Sequence, residues 1–577
     1  METKEIRKKF LDFFKKKEHI ILPGSSLIIN DDPSLLFTNS GMVQFKNIFS
    51  GKEETKYTKV TTSQICIRVG GKHNDLENIG KSTSHNTSFE MLGNFSFSNY
   101  FKKDAIHYAW EFLTEEIKIE KENLYISIHK NDCEVKDIWI NQIKINENKI
   151  IYGDDSSNFW MMGDTGPCGF CTEIFYKKND NELLEIWNLV FIQYYADENK
   201  ELKKLNKFSI DTGMGLERVA SIKQNVFDIF KIDIFKELYN ATKNILNTEI
   251  YNINIKIIID HIKTYIFIAN EGIVTSNEGR GYILKKLIRK AIINKNIDFK
   301  NKKLYKLIPK YIEILNKYYD NIISKHKIIE EIIKYEEKKF EKTLKFGISY
   351  INKIIKNKNI TANDVFILYD TYGIPIEVIN EIIKKNNLEY DVKAFIDKMN
   401  EQKIKSIPKK KKEKSLILNY IHELKKTTFV GYKKLKIKTK IIKIISVDII
   451  NKIYLIILDK TPFFATKGGQ KSDIGIIENN NTKFKITKIF EIDSIIIHKA
   501  YLVNGIIEEN IQVVAKVNKK YRYEIKNNHT CTHLLHAALK SILGDHVKQA
   551  GSLLNNKYLR FDFIHFKDFF ELPGEMR

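Results

Sequence analysis

Cysteine, proline and glycine are all scarce in this chain, at 5, 8 and 26 of 577 residues. Five cysteines do not make a disulfide scaffold, and the odd number leaves one unpaired in any complete pairing. No stretch of about 18 apolar residues occurs, which excludes a membrane-spanning helix. The most apolar run, IIKIISVDIINKIYLIILD, is interrupted by Lys443, Asp448 and Lys452. The N-terminus METKEIRKKFLDFFKKKEH is amphipathic and charged, without the unbroken apolar core of an export signal. No internal repeat with a period of about 20–50 residues is present. A soluble, cytoplasmic chain with no membrane partner is the expectation.

What the sequence does have is length, aliphatic bulk and basic charge. At roughly 150 residues per domain, about three or four domains are expected. A hydrophobic share of 43% is enough to build sizeable cores. Lys plus Arg (95) exceed Asp plus Glu (72), a net charge of +23. Such a surplus favours a polyanionic partner, nucleic acid before an anionic membrane. Lys, Ile and Asn are used heavily along the whole chain, however. Gene nucleotide composition alone can produce that bias, so local motifs carry more weight than net charge.

The texture changes along the chain and divides it into an expected order of domains. Residues 1–235 hold all four tryptophans, half of the glycines and most of the short polar motifs, with a helix over 4–17 followed by mixed strands and loops. Residues 236–405 are Ile/Lys/Glu-rich with helical spacing. The run 327–356 fits either a bundle helix, the preferred reading, or a coiled coil. Residues 406–425 are a basic stretch read as a solvated linker, with an RNA-binding tail as the alternative. Short β-branched runs over 426–520 predict a barrel or sandwich, and a helix returns from 521 before the strand-like YLRFDF.

Two tempting motifs fail. ENIGKS (77–82) resembles the end of a P-loop, but Asp75 stands where the first glycine belongs. CGFC (168–171) has no second Cys pair to complete a tetrahedral zinc site, and is read as a tight glycine turn. Three polar clusters remain, without a single nucleophile. RVGGKHNDLENIG (68–80) presents Arg68, Lys72 and His73 on a glycine-containing loop, where a forked guanidinium suits a phosphate ester. FEMLGNFSFSNYF (89–101) alternates aromatic and small residues as a strand does. DTGMGLERVAS (211–221) reads as a strand, a glycine turn and a helix whose N-terminus is open to an anion.

Taken in order, these segments strongly resemble the alanyl-tRNA synthetases of class II. DDPSLLFTNSGMVQFK (31–46) looks like motif 1 and its neighbour. TTSQICIRVGGKHNDLENIG with FEMLGNFSFSNYFK looks like motif 2, and DTGMGLER looks like motif 3. NFWMMGDTGPCGFCTEIFY and EIWNLVFIQY lie between them. DHIKTYIFIANEGIVTSNEGRGYILKKLIRKA, LYDTYGIP, TPFFATKGGQ and HTCTHLLHAAL extend the likeness over nearly the whole chain. Neither HIGH nor KMSKS, the class I signatures, occurs.

The resemblance implies an α+β multidomain protein. Its parts would be an antiparallel-sheet adenylation domain, a helical domain for the tRNA acceptor stem and a barrel-containing partial editing region. It implies a ligase that forms alanyl-adenylate from alanine and ATP with magnesium, then charges tRNA(Ala). Arg68 would hold the α-phosphate and the alanine carboxylate end, Arg218 the γ-phosphate side, and Phe89 the adenine plane. Lys72 and His73 would line the phosphate loop. Asp211 would pair with the substrate ammonium, inside a pocket shaped by Met42, Trp160, Asn188 and Val190. Asn277 and Asp370 would read a G·U pair, with Arg280, Lys285, Lys286, Arg289 and Lys290 holding phosphates.

The chain also departs from the pattern. His529 and His533, at i and i+4, share a helix face that can ligate zinc, but the family's downstream Cys-x-x-x-His pair is not found. Thr466 and Lys467 stand where an acidic residue and serine usually precede GGQ. Impaired editing of mischarged Ser- and Gly-tRNA is expected, with the zinc site incomplete. The family's C-terminal dimerisation domain is not found either, so a monomer is expected. The chain is either a fragment or naturally short. A free-standing editing protein would need the complete metal site and no ATP pocket. A catalytically dead tRNA- or DNA-binding paralogue would lack Arg68, Asp211 or Arg218.

Overall fold

The computed structural model describes residues 1–29, 35–70, 73–163, 165–179, 182–197, 199–298, 302–320, 322, 326–357, 359–406, 424, 426–448, 450–492, 494–544 and 547–565. It divides into two compact units, 1–392 and 393–577. Among the described residues no helix is long and apolar enough to cross a membrane.

The first unit is organised by strands β1 (Ile20–Ile21), β2 (Lys59–Ile67), β3 (Val69–Gly70), β4 (His73–Asn74), β5 (Ser88–Phe97), β6 (Leu124–His129), β7 (Ile150–Gly153), β8 (Phe159–Met161), β9 (Gly166–Asn179), β10 (Glu182–Ala196) and β11 (Leu202–Gly215). Among the described residues nine form one sheet in the order β1-β2-β5-β11-β10-β9-β6-β7, with β8 on β9, while β3 and β4 make a separate hairpin. The pairings are antiparallel except β1 with β2 and β6 with β7. The long central strands β9, β10 and β11 are meandering neighbours, as short connections favour.

Period-2 alternation sorts their side chains between two faces. Ile210, Thr212 and Met214 of β11 and Trp187 and Leu189 of β10 are buried on one face. There the helix Thr3–Lys16 delivers Phe10, Phe13 and Phe14. Phe10 and Phe112 lie 5.6 and 5.8 Å from the Trp187 ring in tilted and edge-on contacts. Aromatic burial of this kind is worth about 1.5–3 kcal/mol per side chain, with roughly another 0.5–1.5 for favourable ring geometry. The opposite face carries Asp211, Gly213, Asn188, Val190 and Glu173, and a cavity lies over it.

Two short motifs fold differently from expectation. CGFC lies inside strand β9 and forms no turn. Its glycine serves close packing instead, because a Cβ at Gly169 would strike the Phe191 carbonyl oxygen. Likewise Gly213 and Gly215 lie in β11, and the helix Leu216–Lys223 starts directly after Gly215 with no intervening turn. Here glycine leaves room above the sheet: a Cβ at Gly213 would come within 2.8 Å of Met91 Sδ.

Helices Ile253–Asn270, Gly279–Asp298, Leu307–Tyr318 and His326–Asn357 complete the bundle of the first unit. The 32-residue helix packs on its neighbours as a bundle member. The bundle is fastened to the sheet through buried charge. Thr87 N donates to Asp260 Oδ1 at 2.8 Å, and Lys263 Nζ donates to the Ser88 carbonyl at 2.6 Å. Glu217 accepts the Glu90 amide at 3.0 and 3.1 Å.

In the second unit six strands close a barrel, in the order Lys436–Asp448, Ile453–Leu458, Ile495–Asn504, Lys483–Ile492, Gly475–Glu478 and Gln512–Val517. Alternating Ile, Phe and Ala side chains fill its interior, Ile456, Ile477, Phe484, Ile489 and Ala515 among them. The helix Lys519–Leu543 is anchored by Arg522, which pairs with buried Asp473 and donates to the Gly431 and Pro462 carbonyls at 2.9 Å each. Most of the basic linker, 407–423 and 425, lies outside the described residues.

Candidate active site and tRNA-facing surface

The cavity over the sheet measures about 390 Å³, within the range of small-molecule sites. β11 contributes Asp211 and Gly213, β10 contributes Glu185, Asn188 and Val190, and β9 contributes Cys171 and Glu173. Arg68, His85, Phe89, Trp160 and Arg218 close it from above and the sides. Seven of the residues expected from sequence thus converge on one space: Arg68, Phe89, Trp160, Asn188, Val190, Asp211 and Arg218. Met42, 2% exposed, packs in the same apolar cluster as Val190, Cys171 and Trp160. Lys72 lies outside the described residues, and of His73 only the backbone is described, in β4.

The electrostatics of the floor are unusual. Asp211 is 8% exposed, and burial alone pushes its carboxyl up to about 7. Among the described residues no cation is paired with it. An acid in that position is a poor structural element, but it gains a partner when a cationic ligand enters. Asn188 Nδ2 donates to Glu173 Oε1 at 2.9 Å, while Asn188 Oδ1 is buried without a partner among the described residues. Glu173 also accepts from Ser127 Oγ at 3.3 Å. Burial first, and the neighbouring Glu185 second, push Glu173 up to about 7.

The upper wall is cationic and aromatic. The Arg68 guanidinium lies 4.9 Å from the Phe89 ring centroid, and its Nε donates to the Asn39 carbonyl at 3.3 Å. Arg218 Nη1 donates to the Glu185 carbonyl at 2.8 Å and pairs with its carboxylate at 3.0 Å, while Nε donates to the Ser84 carbonyl at 3.3 Å. The planar fork of Arg218 is therefore held in place before any ligand arrives, which lowers the entropic cost of binding. Sequence reasoning missed His85, Glu173 and Glu185. His85 Nδ1 lies 2.7 Å from Ser82 Oγ, and burial lowers its pKa, leaving a neutral ring on the cavity wall. Glu173 and Glu185 lie within segments quoted for the resemblance, where no spacing rule separates them from their neighbours, and His85 lies between the two motif 2 segments.

The CGFC cysteines are free and buried. Burial pushes Cys168 up to about 11 and Cys171 higher still, so neither is a ready thiolate.

A second group of expected residues lies at the end of the helical bundle. Asn277 and Asp370 are both exposed. The elements that carry them are tied together by a 3.0 Å contact between the Tyr282 and Tyr369 hydroxyls. Lys285 Nζ donates to Asn277 Oδ1 at 2.7 Å. Arg289 is engaged internally: it pairs with Glu336 at 3.0 Å, donates to the Gly373 carbonyl at 3.1 Å and lies 4.7 Å from the Phe340 ring. Arg280 donates to the Leu36 and Ile29 carbonyls, and Lys290 to that of Leu76 at 3.2 Å.

In the second unit His529 and His533 stack with ring centroids 5.1 Å apart, and His529 Nδ1 lies 2.8 Å from Gln470 Oε1. Among the described residues no group of three or more His, Cys, Asp or Glu is placed to hold a metal ion. Two imidazoles do not fit a protein zinc site, which takes three or four protein ligands.

The structure therefore joins a largely antiparallel sheet to a cavity walled by two arginines and aromatic side chains. A family model described as "tRNA synthetases class II (A)" matches residues 5–521, and the chain belongs to that class. More narrowly, it belongs to the alanine–tRNA ligase family. The ligase of that name from Buchnera aphidicola subsp. Schizaphis graminum is 44% identical over 98% of this chain and 67% of its own length. That of Wigglesworthia glossinidia brevipalpis is 44% identical over 98% and 68%, and that of Legionella pneumophila strain Paris 40% over 98% and 69%. The chain thus spans about two thirds of the length of these relatives. Among solved structures, a pyrrolysyl-tRNA synthetase from Desulfitobacterium hafniense is similar at 12% identity over 40% of this chain and 71% of that one, with a TM-score of 0.24, too low to carry an argument.

Proposed function

We propose that this chain activates alanine with ATP and transfers it to tRNA(Ala). The observation that carries the alanine pocket is the buried carboxylate of Asp211 opposite Val190, with no cation paired to it among the described residues, near an Asn188 oxygen that has no partner among those residues. An α-amino acid entering there places its ammonium on Asp211 and Asn188 Oδ1, and its single methyl against Val190, Trp160 and Met42. Its carboxylate turns toward Arg68. Phe89 supports adenine once the Arg68 guanidinium moves aside to the α-phosphate, and Arg218 takes the γ-phosphate side. Catalysis then comes from positioning two reactants and neutralising phosphate charge, with no covalent protein intermediate.

The crowded pair Glu173 and Glu185 fits a divalent cation, because their mutual repulsion is relieved by one. Glu173 and Glu185 would hold magnesium, and the ion would supply positive charge to offset that of the leaving pyrophosphate.

The domain roles follow: 1–235 adenylates, 236–405 reads the acceptor stem, 406–425 links, and 426–520 with 521–577 form an editing region. Asn277 and Asp370 offer an amide and a carboxylate to a G·U pair. Arg280 and Arg289, engaged with the protein's own groups, hold the bundle end that presents them. Alanine-dependent pyrophosphate exchange, followed by charging of a G·U-bearing tRNA, tests the proposal; a folded protein with no exchange would contradict it.

A further inference from the structure

Strand β11 pairs with β5 only as far as Gly215 opposite Met91, because the helix Leu216–Lys223 starts there. Among the described residues, 87–90 therefore have no strand neighbour on that side, and their buried backbone groups must find other partners. Side chains supply them. Glu217 accepts from the Glu90 amide at 3.0 and 3.1 Å. The helix Ile253–Asn270 supplies the rest. Asp260 Oδ1 accepts from the Thr87 amide at 2.8 Å, and Lys263 Nζ donates to the Ser88 carbonyl at 2.6 Å. Thr264 Oγ1 donates to Ser88 Oγ at 2.8 Å. Asp260, Lys263 and Thr264 are all fully buried.

Thr87 stands at a junction between this helix and the adenylation cavity. Its amide is held by Asp260, and its carbonyl accepts from the Arg68 amide at 3.0 Å. Two residues further on, Phe89 pairs with Cys66 of β2 and carries its ring 4.9 Å from the Arg68 guanidinium. Arg68, Asn86 and Phe89 all line the cavity. One buried carboxylate thus fixes the peptide from which these side chains spring. Asp260 is itself fixed, because His261 Nδ1 lies 2.9 Å from its Oδ2. Burial lowers the His261 pKa, and a neutral ring with its proton on Nδ1 is the tautomer that a carboxylate selects.

We propose that Asp260 is a positioning residue for adenylation. Through the Thr87 peptide it sets Arg68 and Phe89, the groups that would hold the α-phosphate and the adenine, and the proposal rests on the ligase reading above. The ammonium site, Asp211 with Asn188, stands on β11 and β10 and is set by their register. Asp260 therefore acts on the ATP side of the cavity. A helix from the stretch assigned to the acceptor stem thereby also shapes the site of the first chemical step.

The test uses the full chain as wild type, Asp260→Asn and Asp260→Ala, with circular dichroism to check each fold. Pyrophosphate exchange is measured with ATP varied at saturating alanine, then with alanine varied at saturating ATP. Asp260→Ala removes the acceptor, and KM for ATP should rise on the order of 10- to 100-fold, the scale of one hydrogen bond to a buried charge. Asp260→Asn keeps an acceptor without the charge, and the rise should be roughly 3- to 10-fold. KM for alanine should move no more than about threefold in either variant, since its ammonium partner is untouched.

An ATP KM that rises less than about threefold, or no more than the alanine KM does, overturns the proposal. So does a loss in kcat with both KM values unchanged, which is what a smaller folded fraction gives. If Asp260→Ala does not fold, Asp260→Asn decides by the same criterion, and failure of both to fold makes Asp260 a structural residue and overturns the proposal too. A wild-type chain with no alanine-dependent exchange overturns the ligase reading and this proposal with it. Wild-type exchange with unaltered variants overturns this proposal alone.

Discussion

Val190 on β10 and Asp211 on β11 are cross-strand partners, with Asn188 and Gly213 the next pair on the same face. One register therefore sets both the carboxylate that would bind an ammonium and the side chain that limits the space beside it. A slip of one residue would turn both into the helix-covered core.

Asp211→Asn keeps the shape and removes the charge. Alanine-dependent pyrophosphate exchange should fall on the order of 100-fold or more in kcat/KM, as for loss of a buried charge-assisted contact. Circular dichroism should show an unchanged fold. Exchange within a few-fold of wild type would exclude Asp211 as the ammonium partner.

The same carboxyl gives a pH dependence with a definite sign. Its folded pKa is raised to about 7 by burial, above an unfolded value near 4. Asp211 therefore favours folding fully below about pH 4, and that contribution is lost as pH rises toward 7. Asp211→Asn should raise Tm at pH 8 and leave it little changed at pH 4. In the wild type, kcat/KM for alanine should drop as pH falls below about 7, because the protonated acid cannot pair with an ammonium. A flat profile between pH 6 and 8 would count against the assignment.

Much of the site was legible in the sequence because strands keep its residues in short, ordered segments. Asp211, Gly213 and Arg218 come from one motif, and Arg68 and Phe89 from two arms of another. Local pattern misled where tertiary packing decided the backbone. CGFC and DTGMG look like glycine turns, yet Gly169 is required by the Phe191 carbonyl and Gly213 by the Met91 side chain. Arg289 looked like a phosphate ligand because its buried partner Glu336 lies 47 residues away. Glu173 was passed over because its raised pKa comes first from burial in the folded sheet and second from Glu185 on the neighbouring strand.

Val190→Ala should widen the methyl pocket. Serine activation relative to alanine should rise by about 1–3 kcal/mol in kcat/KM, the range one methyl group can set. An unchanged serine-to-alanine ratio would show that Val190 does not bound the pocket.

Asn277→Ala and Asp370→Ala should each leave pyrophosphate exchange intact and weaken charging by about 1–3 kcal/mol, as base-edge contacts do. Replacing the G·U pair with G·C in the tRNA should abolish the difference between variant and wild type. Equal losses in exchange and charging would indicate a structural role at the bundle end instead.

Arg522→Ala leaves Asp473 buried without its cation. A loss of about 3–5 kcal/mol is expected for breaking such a pair. Chemical denaturation should show the loss, with exchange activity unaffected in mild conditions. A variant as stable as wild type would mean that the helix Lys519–Leu543 is held to the barrel by other contacts.

The most direct test of the assigned activity is aminoacylation with purified protein, ATP, magnesium and a G·U-bearing tRNA, run with alanine, glycine and serine in parallel. Alanyl-tRNA should form readily, and seryl- or glycyl-tRNA should form more slowly. Absence of alanyl-tRNA, from a folded protein that binds the tRNA, would contradict the ligase assignment.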